Sequence, residues 1–548
     1  MAAMTGTDEL RRVARERFGW ERLRDEQVRA MEALMAGRDA LAVLPTGAGK
    51  SAIYQVPAPL LPGPTIVISP LLALQQDQIA SLTARHHESL VAVRLSSAEG
   101  KTERAEALEA LRAGDAEFVF LTPEQFADPA RAALIKALKP SLVAVDEAHC
   151  VSAWGHDFRP DYLQLGQFIR ELGRPPVVAL TATASPPVRE DIVERLGMRD
   201  PEVVVTGLDR PNLFLESVHC PDEETRWRRL VARLRESTPP GIVYAPTRRA
   251  TEELAERLAG EGFEAVAYHG GMSAGERERA HEAFLADEVP IMVATTAFGM
   301  GIDKRNIRWV NHVSLPDSPD SYLQEIGRAG RDGQPAHVLL LHRTEDSGLR
   351  KFFTNVSVDR DEVADLAALL RAADRPLTRD ELEEKTGLGA RKLGQLLTLL
   401  EEVGGARMLS GGKVKAPRWA PVPARAAELA EAQAERQQTV SRSRLDMMRN
   451  FAETELCRGQ ALLAYFGEHL PAICGHCDNC ADGSAAAGEA AAGDVPFPIH
   501  SEVRHGEWGK GVVLSYAGDQ MTVLFEKVGY KTLSVPVVEE HRLLKRVS

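Results

Sequence analysis

Short, almost wholly apolar runs recur along the first 350 positions of the chain: ALAVL, PTIVISP, EFVFLTP, LVAVDEA and VVALTAT, then GIVYAPT, EAVAYHG, IMVATT, WVNHVSL and HVLLLH. Each is long enough for a strand and too short for a helix, and amphipathic stretches of helical period separate them. Buried strands alternating with helices describe parallel sheets of the α/β class. There are too many strands for one sheet of ordinary size, so residues 1–207 and 208–357 are expected to form two such domains. GLDRPNLFLES, at 207–217, reads as the joint, because a lone Pro and a change in charge pattern interrupt helical periodicity there.

Beyond 357 the pattern changes. PLTRDELEEKTGLGARKLGQLLTLLEEVGG reads as helix, Gly turn, helix, and RMLSGGKVKAP as a small hairpin. Together they predict a winged-helix-like domain over 358–418, with a plain helical connector as the open alternative. Alanine- and charge-rich residues 424–456 predict a helical arm, part of a unit at 419–482 that ends in a cysteine cluster. A small-residue linker follows at 483–498. The last segment, 499–548, alternates apolar and polar residues between Gly turns and predicts a small β-barrel, with Val512, Leu514, Val523 and Phe525 in its interior.

Composition narrows the classes. The 548 residues are too many for one core, 44% are hydrophobic and 26% charged, and no run approaches the roughly 18 apolar residues that span a bilayer. The first residues lack the apolar centre of a secretory signal. A cytoplasmic protein without membrane association is expected, nucleoid-associated if bacterial. A net charge of −13 argues against a generally basic nucleic-acid binder, but leaves room for backbone amides and a local basic channel.

Three stretches carry chemistry. LPTGAGKS, 44–51, follows an apolar strand and opens a helix, where a phosphate loop belongs. Its backbone amides can cradle a β-phosphate, Lys50 can reach the β and γ oxygens, and the Ser51 hydroxyl can ligate Mg2+. Leu44 stands where the strict motif has glycine. AVDEAH ends a second strand in acids: Asp146 is expected to hold Mg2+ and Glu147 to polarise the attacking water. YLQEIGRAGRDG sets Arg328 and Arg331 three residues apart, on one face if helical, as candidate fingers for the γ-phosphate of ATP.

These motifs, with FGWERLRDEQ, SPLLALQQDQ, LTATA, IVYAPTRR, YHGGM and TTAFGMGIDK in that order and spacing around them, resemble the RecQ family of DNA helicases. The resemblance implies two RecA-like motor domains and ATP-driven 3′ to 5′ unwinding in DNA recombination and repair. Single-stranded and branched or partly duplex DNA would be the substrates. It implies nucleotide contacts from Trp20, Arg24, Gln27, Thr46, Gly47, Ala48, Gly49, Lys50, Ser51 and Asp303, with Gln27 on the adenine edge and Trp20 and Arg24 flanking the ring. SAWGHDFRPDY resembles the family's aromatic-rich loop, in which Trp154 and Phe158 would stack on unpaired bases while His156 and Arg159 relay that event to Glu147. An RNA helicase and an ATP-clamped DNA scaffold are the alternatives.

Cys457, sixteen residues, then Cys474, Cys477 and Cys480 at CxxCxxC spacing offer four thiolates for a structural Zn2+. The run is also similar to the RecQ zinc module. His476 could replace one ligand, and an iron–sulfur cluster is the rival. The winged-helix-like stretch precedes the cysteines here, whereas the family usually places it after them. VRHGEWGKGVV resembles the Tudor-like barrel that ends UvrD-type helicases. Tethered by the linker, this barrel is expected to dock a protein partner, with an extra DNA grip as the alternative, and to be dispensable for the motor.

Overall fold

The computed structural model describes the chain except residues 1–5, 71, 86–90, 96–105, 108, 112, 124, 126–128, 153–158, 160–161, 163, 300–303, 347, 349–357, 410–412, 469, 486–494, 500, 518, 526 and 548. The apolar runs become strands of two parallel sheets. In the first, β1 (Ala40–Val43), β2 (Thr65–Ile68), β3 (Val91–Arg94), β4 (Ala116–Leu121), β5 (Leu142–Val145), β6 (Val177–Thr181) and β7 (Glu202–Val205) lie in the order β3-β4-β2-β5-β6-β1-β7. Both faces are covered, which is why the central runs are apolar throughout rather than alternating. Leu41, Val43, Ile66 and Ile68 pack on one side with Ile169 and Ile192, while Ala40, Ala42, Val67 and Leu180 pack on the other with Leu10 and Met31.

The second sheet has the order β10-β11-β9-β12-β13-β8. Its strands are β8 (Leu213–His219), β9 (Gly241–Tyr244), β10 (Ala265–Tyr268), β11 (Ile291–Ala294), β12 (Trp309–His312) and β13 (Ala336–His342). The joint between the sheets is shorter than the sequence suggests. From Leu213 onward it is already the edge strand β8, with Leu213 and Leu215 buried and Phe214 and Glu216 partly exposed, the period-2 pattern of a half-covered edge.

Helices Arg360–Ala372, Arg379–Thr386 and Ala390–Glu402 follow, then the hairpin β14 (Arg407–Met408) and β15 (Val414–Lys415), with Leu377 bridging to Val414. This is the element order of a winged helix. Its leucine-rich core includes Ala426 and Ala430 of the long arm helix Pro423–Glu453. The domain leans on the first sheet domain, where Gln164 Nε2 donates to Glu401 Oε1 at 3.3 Å and Arg407 Nη2 to Gln167 Oε1 at 3.3 Å. At its far end the arm buries Met448 and Phe451 against the second sheet domain.

The C-terminal sheet is antiparallel, ordered β19-β18-β17-β16-β20. It comprises β16 (Glu502–His505), β17 (Gly509–Ala517), β18 (Gln520–Phe525), β19 (Gly529–Ser534) and β20 (Leu544–Arg546). Its interior holds Val503, Val513, Met521, Val523 and Phe525. The expectation for Val512 and Leu514 is corrected: they face outward and, with Leu524 and Tyr530, join the core shared by the cysteine-bearing segment and the second sheet domain. Consecutive apolar residues on β17 make both faces apolar, and an alternation count one residue out of phase assigns the wrong one to the interior. The barrel is therefore docked on its own chain, correcting the picture of a free tethered module. Among the described residues no helix is long and apolar enough to cross a membrane.

Candidate active site

The phosphate loop leaves β1 at Leu44, whose amide donates to Thr181 O on the neighbouring β6 at 3.1 Å. Gly47 (φ +84°) and Gly49 (φ +76°) sit in the left-handed region that glycine adopts without strain, and a β-carbon on Gly49 would stand 2.9 Å from Gln27 Nε2. That amide donates to Ala48 O at 3.1 Å and Gly49 O at 3.0 Å, and Gln27 Oε1 accepts from the Arg24 amide at 2.9 Å. Gln27 thus fastens its helix, Asp25–Met35, to the loop. Trp20, stacked on Phe18 with centroids 4.9 Å apart, and Arg24 line the same cavity as Thr46, Gly47, Ala48, Gly49, Lys50 and Ser51.

Lys50 Nζ donates to Leu44 O at 3.2 Å. Burial pulls its pKa below the ordinary lysine value, against the opposing pull of Glu147 and Asp146. Asp146 directly follows β5; burial raises its pKa, while Lys50, Gln78 and the Glu147 amide oppose the rise. Gln78 Nε2 donates to Asp146 Oδ2 at 2.9 Å and the Glu147 amide to Asp146 Oδ1 at 3.0 Å. Glu147 takes a left-handed backbone conformation, φ 48°, that turns the chain sharply off the strand. Its Oε2 lies 3.4 Å from His149 Nδ1.

From the second motor domain, Arg328 and Arg331 line this same cavity of about 790 Å³, a volume suited to a nucleotide. A β-carbon on Gly47 would lie 3.6 Å from Arg331 Cγ, which shows how closely the two domains approach. The two arginines are not on a helix, in contrast to the sequence expectation. Helix Pro319–Ile326 ends at Gly327, and Gly330 (φ +58°) and Gly333 (φ +81°) fold the following residues into turns. Arg210, in the interdomain joint, braces that turn by donating to Gly327 O at 3.4 Å and to Ala329 O and Gly330 O, both at 3.0 Å. Asn212 Nδ2 adds bonds to Gly330 O and Gln334 O at 2.9 Å.

Sequence reasoning missed Arg210, Asn212, Gln78, Arg305 and Tyr162. Arg305 lines the cavity. Tyr162, the buried last residue of the aromatic-rich stretch, points its hydroxyl at Asp146 O at 3.4 Å. The polar residues of DRPN in the joint were the one available signal for the Arg210 brace. Arg159 donates to Pro70 O at 3.0 Å, and its amide to Cys150 O at 2.9 Å. Trp154, His156, Phe158 and Asp303 lie outside the described residues.

The cysteines meet as a second centre. Cys457 precedes helix Arg458–Tyr465, and the Sγ atoms of Cys457, Cys474, Cys477 and Cys480 all lie within 4.8 Å of one another, with 3.9 Å between Cys474 and Cys480. Four thiolates about 2.3 Å from a shared ion would be spaced by roughly 3.8 Å, so this donor set fits tetrahedral Zn2+. His476 is turned away: its Nδ1 is 2.9 Å from Leu213 O and its Nε2 3.3 Å from Asp209 Oδ1. The module is sewn to the edge of the second sheet, where the Leu215 amide donates to His476 O at 3.0 Å and the Ser217 amide to Asp478 Oδ2 at 2.9 Å.

Residues 24–192 match the DEAD/DEAH box helicase family, 225–333 the helicase conserved C-terminal domain, and 424–481 the RecQ zinc-binding family. The chain is 38% identical to the probable ATP-dependent DNA helicase RecS of Bacillus subtilis over 66% of its own length and 72% of that protein's. It is 35% identical to the ATP-dependent DNA helicase RecQ of Pasteurella multocida over 85% of its own length, but spans only 61% of that protein. Two solved structures share the fold. The Mycobacterium smegmatis helicase Lhr bound to single-stranded DNA and AMP-PNP has a TM-score of 0.51 at 21% identity, covering 79% of this chain and 61% of that one. The helicase MrfA bound to DNA has a TM-score of 0.52 at 16% identity, covering 77% and 64%. The ATP-dependent DNA helicase RecQ of Synechocystis is matched at 35% identity over 99% of its length and 87% of this chain. Likeness on that scale, reaching from the phosphate loop through the cysteines, makes this chain a member of the RecQ family of ATP-dependent DNA helicases.

Proposed function

We propose that the chain hydrolyses ATP in the cleft between its motor domains and uses the closing and opening of that cleft to move 3′ to 5′ along single-stranded DNA. Duplex and branched DNA are unwound ahead of it, in recombination and repair. The observation that carries this reading is the single cavity shared by Lys50, Asp146 and Glu147 of one domain and Arg328 and Arg331 of the other. Trp20 and Arg24 flank the adenine. Gln27 reads its edge and, through its bonds to the loop, ties base recognition to phosphate binding. Lys50 neutralises the β and γ oxygens. The hard oxygen donors of Ser51 and Asp146 fit Mg2+, which when bound offsets phosphate charge. Glu147 orients the attacking water and accepts its proton, and the two arginines stabilise charge developing on the γ-phosphoryl group.

The aromatic-rich loop supplies the DNA signal: Trp154 and Phe158 stack on unpaired bases, while His156, Arg159 and Tyr162 connect the loop to the acid pair. The partly exposed side of the C-terminal barrel, around Ile499 and Val537, is the surface left for a protein partner, and the protein works in the cytoplasm, on the nucleoid if bacterial. The reading is tested by steady-state ATPase assays with and without single-stranded DNA. Hydrolysis should rise on adding DNA and collapse in Arg328→Ala. DNA-independent hydrolysis indifferent to Arg328 would contradict it.

A further inference from the structure

The docked barrel places one tyrosine at the meeting point of the whole chain. Tyr530, 2% exposed, stacks on Tyr465 of the zinc module with centroids 5.0 Å apart, and its hydroxyl lies 2.8 Å from Ser185 Oγ of the first motor domain. Ser185 occupies the N-cap of helix Pro186–Leu196, yet its hydroxyl does not cap that helix. The Tyr465 hydroxyl donates to Asp320 of the second motor domain, itself 1% exposed. Arg444, buried on the arm helix, faces Asp320, Tyr465 and Tyr530 and balances the carboxylate. The approach is built for contact: β19 begins at Gly529 (φ +69°), where a β-carbon would lie 2.2 Å from Ser443 Oγ of the arm.

Both ends of this network sit on segments that lead to the ATP cleft. Ser185 lies just past Thr181, the β6 residue that holds His149 at 2.9 Å. Asp320 stands in the first turn of helix Pro319–Ile326, from which the chain runs into the turn bearing Arg328 and Arg331. Barrel, zinc module and arm thus close a polar bridge between the motor domains on a path separate from the nucleotide. A buried network of this kind favours the arrangement in which its hydroxyls find partners, and the Tyr530–Ser185 and Tyr465–Asp320 pairs form here in the arrangement that brings the arginines to the phosphate loop.

We propose that Tyr530 is a positioning residue for ATP hydrolysis: through Ser185 and Tyr465–Asp320 it holds the motor domains in the closed relation that places Arg328 and Arg331 over the phosphate loop. The inference rests on the ATPase reading above. ATP itself is gripped mainly by the first domain, so the effect falls on turnover rather than binding.

The test uses Tyr530→Phe, which keeps the ring, with Ser185→Ala and the double variant, all as full chains. Each single variant is expected to lower DNA-stimulated kcat roughly three- to tenfold, the scale of one net hydrogen bond, with KM for ATP unchanged and the double variant no worse than either single one. Wild-type kcat in both single variants, or losses that simply add, would overturn the proposal. Small-angle X-ray scattering with a non-hydrolysable ATP analogue reads closure independently of turnover. A wild-type chain that hydrolyses no ATP would sink the ATPase reading. Tyr530→Phe compacting as fully as wild type would sink the inference on its own.

Discussion

His149 Nδ1 lies 2.9 Å from Thr181 Oγ1 and 3.4 Å from Glu147 Oε2, so one fully buried imidazole spans the end of β6 and the carboxylate assigned to water activation. Thr181 Oγ1 in turn donates to Thr183 O at 3.1 Å. Replacing Thr181 with the near-isosteric Val removes the histidine's hydroxyl partner while preserving volume. ATP affinity should be unchanged and DNA-stimulated kcat should fall up to about tenfold, as read by nucleotide titration and steady-state kinetics.

Lys50 and Glu147 meet the same cavity from different elements, and their loss should be separable. Lys50→Ala should weaken ATP binding. Glu147→Gln should spare binding and lower turnover by about 10²- to 10⁴-fold, the usual worth of a positioned general base. Fluorescent-nucleotide titration beside single-turnover hydrolysis distinguishes the two; near-normal hydrolysis by Glu147→Gln would refute its assignment.

Zinc should be structural, because four thiolates leave no coordination position open. Cys477 is fully buried and bridges to Leu215 of the edge strand β8. Cys477→Ser should therefore release metal and also loosen the second motor domain, seen as zinc content below one per chain and earlier proteolysis. Iron, or no metal, in the wild-type protein would refute the site.

Ending the chain at about residue 484 should uncover Tyr465, Phe466 and Met448, which Leu514, Leu524 and Tyr530 now share a core with. The expected outcome is a lower Tm and reduced solubility of the truncated protein. An unchanged melting curve would restore the picture of a dispensable tethered module.

His342, 2% exposed, has its pKa pushed down to about 4, first by burial and then by His219 and Arg458. The folded value lies below the unfolded one near 6.5, so the unfolded chain binds the extra proton as pH falls through that interval. The stability contribution is complete above pH 6.5 and is lost toward pH 4, at most about 3 kcal/mol. Melting curves between pH 4 and 7 should fall less steeply for His342→Gln than for wild type.

What the sequence revealed and what it hid follow the range of the interactions. The phosphate loop, the acids at 146 and 147 and the cysteine spacing are contiguous signals, each legible because neighbouring residues perform one task. The Arg210 brace spans more than a hundred positions to Gly327, and Gln78, on helix Leu72–Arg85, reaches Asp146 beyond the end of β5; neither carries a local pattern. Arg328 and Arg331 look helical because i, i+3 spacing is indifferent to the positive φ of Gly330 that turns the backbone. The barrel was visible as alternation, but its second apolar face was not, since phase on β17 is decided by what docks against it.

Strand displacement on a duplex with either a 3′ or a 5′ single-stranded tail tests the central claim most directly. The wild-type chain should displace the strand from the 3′-tailed substrate only, and only with ATP and Mg2+, while Arg328→Ala should bind the same DNA and displace nothing. Displacement supported equally by a non-hydrolysable ATP analogue, or left intact in Arg328→Ala, would contradict a motor driven by hydrolysis across this cleft.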